Sequence, residues 1–297
     1  MKILVIGSSG QLGTEIFNLQ ASLNLSDIFF YNKDKLDVSS NEIIETFFTE
    51  NRFDIVINCA AYTNVDQAET NFNDAKTINA DSIGYICSSL ERHKPDTIFI
   101  HLSTDYIFDG NFEKPILEEE IPNPLSKYGK SKLLGEEILQ KSSIPSIIIR
   151  VSWLYSNHGN NFLNTIINLS KKNKSINVIN DQIGSPTSAN DLANTIIKII
   201  HSNKLNACAE KKEIFNFCNT GACSWHDFAK EILLSISSDC EVLPITTNEY
   251  NSKAERPKYS VLDTSKIANV FGLEIRTWKD ALQNTINSPY SNYNKSI

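Results

Sequence analysis

The chain has 297 residues, 41% of them hydrophobic and 21% charged, enough apolar material for one large domain or two packed ones. Its 35 acidic and 28 basic side chains leave a net charge of −7, which argues against a nucleic-acid binder with a basic surface but allows a local basic pocket around an anionic small molecule. No stretch is apolar for long enough to cross a bilayer, and no charged-then-apolar leader precedes the first strand-like run, so a cytoplasmic protein without membrane contact is expected.

In chain order, short apolar runs alternate with helical patterns, the signature of a parallel α/β sheet. Strands are predicted at Ile3–Ile6, Ile28–Tyr31, Ile55–Asn58, 98–102 and 146–152. Residues 11–23 form a predicted helix with Leu12, Ile16, Leu19 and Leu23 on one face, and 73–90 another on Ile78, Ile83 and Ile86. Beyond Trp153 the pattern loosens, with helices expected at 191–200 and 225–236 between irregular loops. The fold class read from this is α/β, a Rossmann-type doubly wound parallel sheet with a smaller, mixed C-terminal unit for substrate. The first unit is placed at 1–155, with a segment near 175–205 a candidate to return to it. The second is placed at 156–297, with 288–297 a polar, frayed tail. The six cysteines (Cys59, Cys87, Cys208, Cys218, Cys223, Cys240) include no C-x-x-C pair. They read as reduced structural thiols, with no metal site.

Gly7, Gly10 and Gly13 form G-x-x-G-x-x-G at the first strand-to-helix junction. Glycine there permits a tight turn and a close backbone approach, and the helix N-terminus offers free N–H groups to a diphosphate. A dinucleotide cofactor, NADPH or NADH, is therefore expected. Its preference rests on the end of the second strand, Tyr31-Asn-Lys-Asp34. Lys33 is placed to pair with a 2′-phosphate and Asp34 to accept from a 2′-hydroxyl, and a plainly solvated loop stays open beside both. With no acid directly ending the strand, NADPH is expected to serve at least as well as NADH. Asp37-Val38 offers a carboxylate toward the adenine edge, and Ala60-Ala61-Tyr62-Thr63 offers small residues after the third strand.

Tyr128 and Lys132 form a Y-x-x-x-K pair, and so do Tyr31 and Lys35. With 10 tyrosines and 23 lysines in 297 residues, about 0.8 such spacings arise by chance, so spacing alone decides nothing. Context separates them: Tyr31 ends a strand, whereas Tyr128 opens a helical run to Leu139, so Tyr128 and Lys132 share one face. Upstream, the strand at 98–102 leads into Ser103-Thr104-Asp105, at the carboxyl edge where ligands of open sheets bind. A hydroxyl of Thr104 or Ser103 can donate to a carbonyl oxygen, and Tyr128 can give that oxygen its proton. An unperturbed phenol near ~10 is a poor acid-base catalyst at neutral pH. Lowering it by ~3 units requires about 4 kcal/mol, and an ammonium about 5 Å away supplies roughly 3 kcal/mol at an effective dielectric near 20. Lys132 is therefore expected to pull Tyr128 down.

These residues resemble the extended short-chain dehydrogenase/reductase family, and within it the branch that reduces dTDP-linked 4-keto-6-deoxy sugars. The matching segments are 7–13, 58–66, 103–110, 128–136, 150–155, 180–187 and 256–263, spanning nearly the whole chain. The resemblance implies NAD(P)H-dependent reduction of the C4 ketone of dTDP-4-dehydro-L-rhamnose to dTDP-L-rhamnose, for cell-surface polysaccharide. It implies cofactor contacts from Gly10, Gln11, Leu12, Asp37, Val38, Ala61, Tyr62, Thr63, Tyr128 and Lys132. It gives the sugar nucleotide to Thr104, Asp105 and Trp153, and makes Tyr128 the proton donor. Arg256, beside Pro257 in a shared segment, is a candidate for the substrate diphosphate. Dehydratases of the family carry an Asp-Glu pair after the catalytic Thr, whereas here Asp105 is followed by Tyr106. An epimerase, or a non-catalytic subunit of the same fold, would share the glycine loop. Magnesium association is a family property. Glu15 stands without a carboxylate cluster and the Asn190 segment offers amides, so magnesium is expected to be dispensable. A homodimer is compatible with the sequence.

Overall fold

The computed structural model describes residues 1–20 and 27–288. Position Leu23 of the expected helix face, and 289–297 of the expected tail, lie outside the described residues. Six strands form one all-parallel sheet: β1 (Ile3–Ile6), β2 (Ile28–Tyr31), β3 (Ile55–Asn58), β4 (Ile98–Thr104), β5 (Ser146–Val151) and β6 (Ile214–Phe217), in the order β6-β5-β4-β3-β1-β2. The strands are nearly continuous Ile/Val/Phe runs because both faces are covered by helices. On one face Val5, Ile57, Ile100 and Ile149 pack against Leu12, Ile16 and Leu192, Ile196, Ile199. On the other Leu4, Val56, Phe99 and Ile148 meet Ile44, Phe48, Ile83, Ile86 and Leu139.

The chain reverses its direction of travel across the sheet between β1 and β3, so the crevice for a ligand opens at their carboxyl ends. The residues after β1 and β3 touch there: a Cβ on Gly7 would stand 2.5 Å from the Ala60 nitrogen.

Three features depart from the sequence pattern. β4 runs two residues beyond 98–102, pairing Ser103 with Arg150 and Thr104 with Val151. β6 was not anticipated, because its apolar run is interrupted by Asn216. That side chain is fully buried and donates to the Ile116 carbonyl at 2.8 Å. The stretch predicted as a helix at 73–90 is instead Phe72–Lys76, a π-helical turn Thr77–Asp81, and Ser82–His93.

The rest of the chain builds a smaller unit beside the sheet. Helices Phe162–Ser170, Trp225–Ser235 and Trp278–Ile286 enclose Tyr155, Phe228 and Leu282 with the strand pair Ser175–Ile179 and Glu241–Ile245. The Ala189–Ile200 helix packs back onto the sheet beside Gln11–Gln20. All six cysteines are free. Among the described residues no helix is long and apolar enough to cross a membrane.

Candidate active site

The glycine loop is built as its spacing requires. Gly7 adopts φ +77°, its N–H bonds the Tyr31 carbonyl at 2.9 Å, and a Cβ on Gly13 would overlap the loop backbone at Gly7 and Ser8. The first helical bond runs from the Thr14 N–H to the Gly10 carbonyl, so the amides of Gln11, Leu12 and Gly13 have no partner within the helix. No Cβ stands at the three close approaches of the loop, Gly7, Gly10 and Gly13, and the loop fits a dinucleotide diphosphate. Two expected cofactor contacts are limited to backbone. Leu12 is a core side chain, and the Gln11 amide oxygen accepts from Asn161 at 2.8 Å and Ser156 at 3.1 Å.

At the adenine end, Val38 is likewise buried. The Asp37 carboxylate accepts from the Ser39 hydroxyl and N–H, which hold it below the usual carboxylate range. Lys33 is exposed, while Asp34 accepts from the Asn32 amide at 3.2 Å. Ala61 and Thr63 are exposed and Tyr62 is half-buried.

Tyr128 and Lys132 stand one turn apart on the Lys127–Lys141 helix, capped by the Ser126 hydroxyl on the Gly129 N–H. The helix reaches the sheet closely because residue 129 is glycine; a Cβ there would strike the Tyr106 carbonyl. Tyr128 is 8% exposed, with the Tyr106 ring edge-on to it at 5.5 Å. Burial pushes its phenol up to about 12; the Thr104 hydroxyl pulls it down and the Asp105 charge pushes it further up. Lys132 is 2% exposed, donates to the Leu102 carbonyl at 2.6 Å, and is pushed down to about 8 by burial against the charge of Glu136. Desolvation of the buried hydroxyl is thus the largest influence on the phenol.

Thr104, rather than Ser103, faces the phenol. Its hydroxyl donates to the Asp105 carboxylate at 3.0 Å, whereas the Ser103 hydroxyl is buried without a hydrogen-bond partner among the described residues. Asp105 is 2% exposed, and burial pushes it up to about 6 against the Ser260 and Thr104 hydroxyls. The decoy pair separates as expected: Tyr31 packs on Phe47 at the end of β2, and Lys35 is an exposed turn residue.

Two expected substrate contacts are already engaged. Trp153, at φ +47°, stacks on Trp225 with ring centroids 3.4 Å apart. Gly184 abuts its indole, and a Cβ there would overlap the ring. Its stacking face is spent on protein, which leaves an edge for a ligand. Arg256 is paired with Asp66 at 2.7 Å, a carboxylate that a diphosphate would have to displace.

The sequence reading missed Asn79, His101 and Trp225. Asn79, buried in the π-helical turn, accepts from the Tyr62 N–H at 2.8 Å and donates to the Tyr62 carbonyl and the Ser131 hydroxyl. It ties the expected cofactor-side segment to the Tyr128 helix. π-Bulges recur at functional sites, but no residue pattern announces one. A lone histidine two residues before Ser103 was the available signal for His101.

Against known proteins, the family model described as "RmlD substrate binding domain" matches residues 1–291. The spore coat polysaccharide biosynthesis protein SpsK of Bacillus subtilis is 36% identical over 282 residues, covering 95% of each chain. A dTDP-4-dehydrorhamnose reductase of Aggregatibacter actinomycetemcomitans is 34% identical, covering 95% of this chain and 97% of its own. The crystal structure of a dTDP-4-dehydrorhamnose reductase from Bacillus anthracis in complex with NADP superposes with a TM-score of 0.88 at 34% identity, covering 96% of this chain and 99% of that one. Matched over nearly its full length by the family model and by these relatives, the chain belongs to the dTDP-4-dehydrorhamnose reductase family.

Proposed function

We propose that this protein reduces the C4 ketone of dTDP-4-dehydro-L-rhamnose to dTDP-L-rhamnose with NADPH or NADH. The observation that carries the reading is the placement of Thr104, Tyr128 and Lys132 together at the carboxyl end of β4, beside the glycine loop. A bound reduced nicotinamide supplies the hydride. The amides of Gln11, Leu12 and Gly13 would hold its diphosphate, with Asp37, Val38, Ala61, Tyr62 and Thr63 as its further contacts. Thr104 donates to the ketone oxygen and Tyr128 gives that oxygen its proton as it becomes an alcohol. Lys132, as an ammonium, stabilises the phenolate left behind until solvent returns the proton. The Thr104 hydroxyl turns from the Asp105 carboxylate to make that bond, Trp153 offers its indole edge to the sugar, and Arg256 reaches the diphosphate by exchanging Asp66 for it.

Lys33, exposed at the end of β2, supports use of NADPH at least as well as NADH. Magnesium is dispensable on this reading. The test couples the protein to the upstream dehydratase and epimerase from dTDP-glucose and follows oxidation of each dinucleotide. Proton NMR of the product is expected to show the L-rhamno configuration. A talo product, or no dinucleotide oxidation, rejects the assignment.

A further inference from the structure

Asn58 and His101 are paired across β3 and β4, each about 1% exposed, with side chains on the same face of the sheet. The Asn58 Oδ1 accepts from the Ala60 N–H at 3.1 Å, and a backbone N–H cannot turn away. The Asn58 amide nitrogen therefore faces the His101 ring at Nδ1, 3.3 Å away. On the far side of the ring, Nε2 lies 3.4 Å from the Lys132 ammonium nitrogen. Both ring nitrogens thus face groups that donate. Burial keeps His101 neutral, its pKa well below the ordinary value, and a neutral imidazole accepts at one nitrogen only. Because Asn58 is pinned, the acceptor is Nδ1 and the proton sits on Nε2. An Nε2–H can donate to a lysine amine but opposes an ammonium, which has no lone pair to receive it.

We propose that His101, its tautomer locked by Asn58, is a positioning residue that biases Lys132 toward the free amine and so sets the alkaline limit of the reaction. This rests on the reading of Tyr128 and Lys132 given above. Burial lowers Lys132 to begin with, and of the groups facing it the others do not add to this bias. Glu136, one turn along the same helix, favours the ammonium but is engaged by Arg150 at 2.8 Å. Cys59, after β3, is a thiol pushed up to about 12 by burial and stays neutral. The Leu102 carbonyl accepts from Lys132 in either form. From the sheet, the Phe99 ring closes the other side of His101 at 6.2 Å and carries no charge.

Two measurements test the proposal. Long-range proton–nitrogen NMR of the histidine-labelled protein, with five histidines to resolve, reads the ring directly, and sequential backbone assignment of the wild-type protein links that signal set to His101. A neutral Nε2–H ring at pH 7 is expected; an Nδ1–H ring or an imidazolium overturns the proposal whether or not the variant folds. In His101→Gln the amide oxygen can turn to accept from the ammonium. The alkaline limb of kcat/KM is then expected to move up by about one pH unit, a tenfold change in the proton equilibrium. A folded, active variant whose limb stays put or moves down also overturns it. The two readings fail separately: wild-type turnover in Tyr128→Phe would remove the catalytic assignment and leave the tautomer result standing.

Discussion

At the scale of single residues, the site combines groups that burial moves in opposite directions. Tyr128 is held protonated far above neutrality and Lys132 is drawn toward neutrality, so the phenol keeps its proton through the working pH range and the lysine is the group that titrates. Tyr128→Phe is expected to cut turnover at least ~10²-fold, the lower range for a lost general acid, with dinucleotide affinity retained because the glycine loop is untouched. Tyr31→Phe, the decoy, should turn over at the wild-type rate; steady-state kinetics on both variants checks the pair. Asp105 carries a stability cost. Its pKa rises from 3.8 to about 6 on folding, so above pH 6 the folded state holds a buried charge that the unfolded chain solvates freely. The cost reaches about 3 kcal/mol as an upper figure, and it vanishes below pH 4, where both states are protonated. Asp105→Asn keeps an acceptor for the Thr104 hydroxyl, so it should raise Tm at pH 8, with the gain fading toward pH 4, while activity falls. An equal gain at both pH values would show that the charge is not the cause.

At the scale of elements, the Tyr128 helix is aligned by contacts that its own sequence does not announce. Gly129 lets it approach the Tyr106 backbone, and Gly135 lets it meet the π-helical turn at Asn79, where a Cβ would overlap the Asn79 carbonyl. Asn79 then satisfies both backbone groups of Tyr62. Asn79→Ala leaves a half-buried N–H and C=O unpaired, costing roughly 1–3 kcal/mol. Because the Tyr62 segment is thereby loosened, the Kd for the dinucleotide should rise about tenfold while turnover at saturation falls less. Isothermal titration with NADPH reads the first and kinetics the second; unchanged affinity would make Asn79 purely architectural.

At the scale of the whole molecule, polar ties join the sheet to the substrate-side unit, among them those of Gln11 and Asp66. Gln11 accepts from Ser156 and Asn161. Asp66 holds both the Arg256 guanidinium and the Ala254 N–H, 3.0 Å away, across 188 residues of chain. Burial is the largest single influence on the Asp66 carboxyl and would raise it, but the Arg256 hydrogen bond and charge together with the Ala254 and Lys253 N–H groups leave the pKa lowered. Asp66 is 41% exposed, so the pair is worth no more than about 1 kcal/mol to global stability. Asp66→Asn should therefore leave Tm nearly unchanged yet speed amide hydrogen exchange at Ala254, a local opening rather than an unfolding. A large Tm loss, or unaltered exchange at Ala254, would contradict this division.

What the sequence determined by itself is what short-range chemistry encodes. Strands β1, β2, β3 and β5 were legible as apolar runs, the glycine loop as a spacing at a strand-to-helix junction, and Tyr128 and Lys132 as an i,i+4 pair on a helix. Each rests on neighbours within a few residues, where periodicity and steric demand leave few alternatives. What only the tertiary structure decided is everything that depends on residues far apart in the chain. β6 is a strand because β5 lies beside it and Asn216 finds a buried partner in Ile116. Arg256 is paired because Asp66 is brought to it, and Trp153 is stacked because Trp225 and Gly184 close on its ring. Lys132 faces His101, and the Tyr128 phenol is raised, because protonation answers to desolvation and to the groups that folding packs around it. Those environments do not exist until the sheet and helices have assembled.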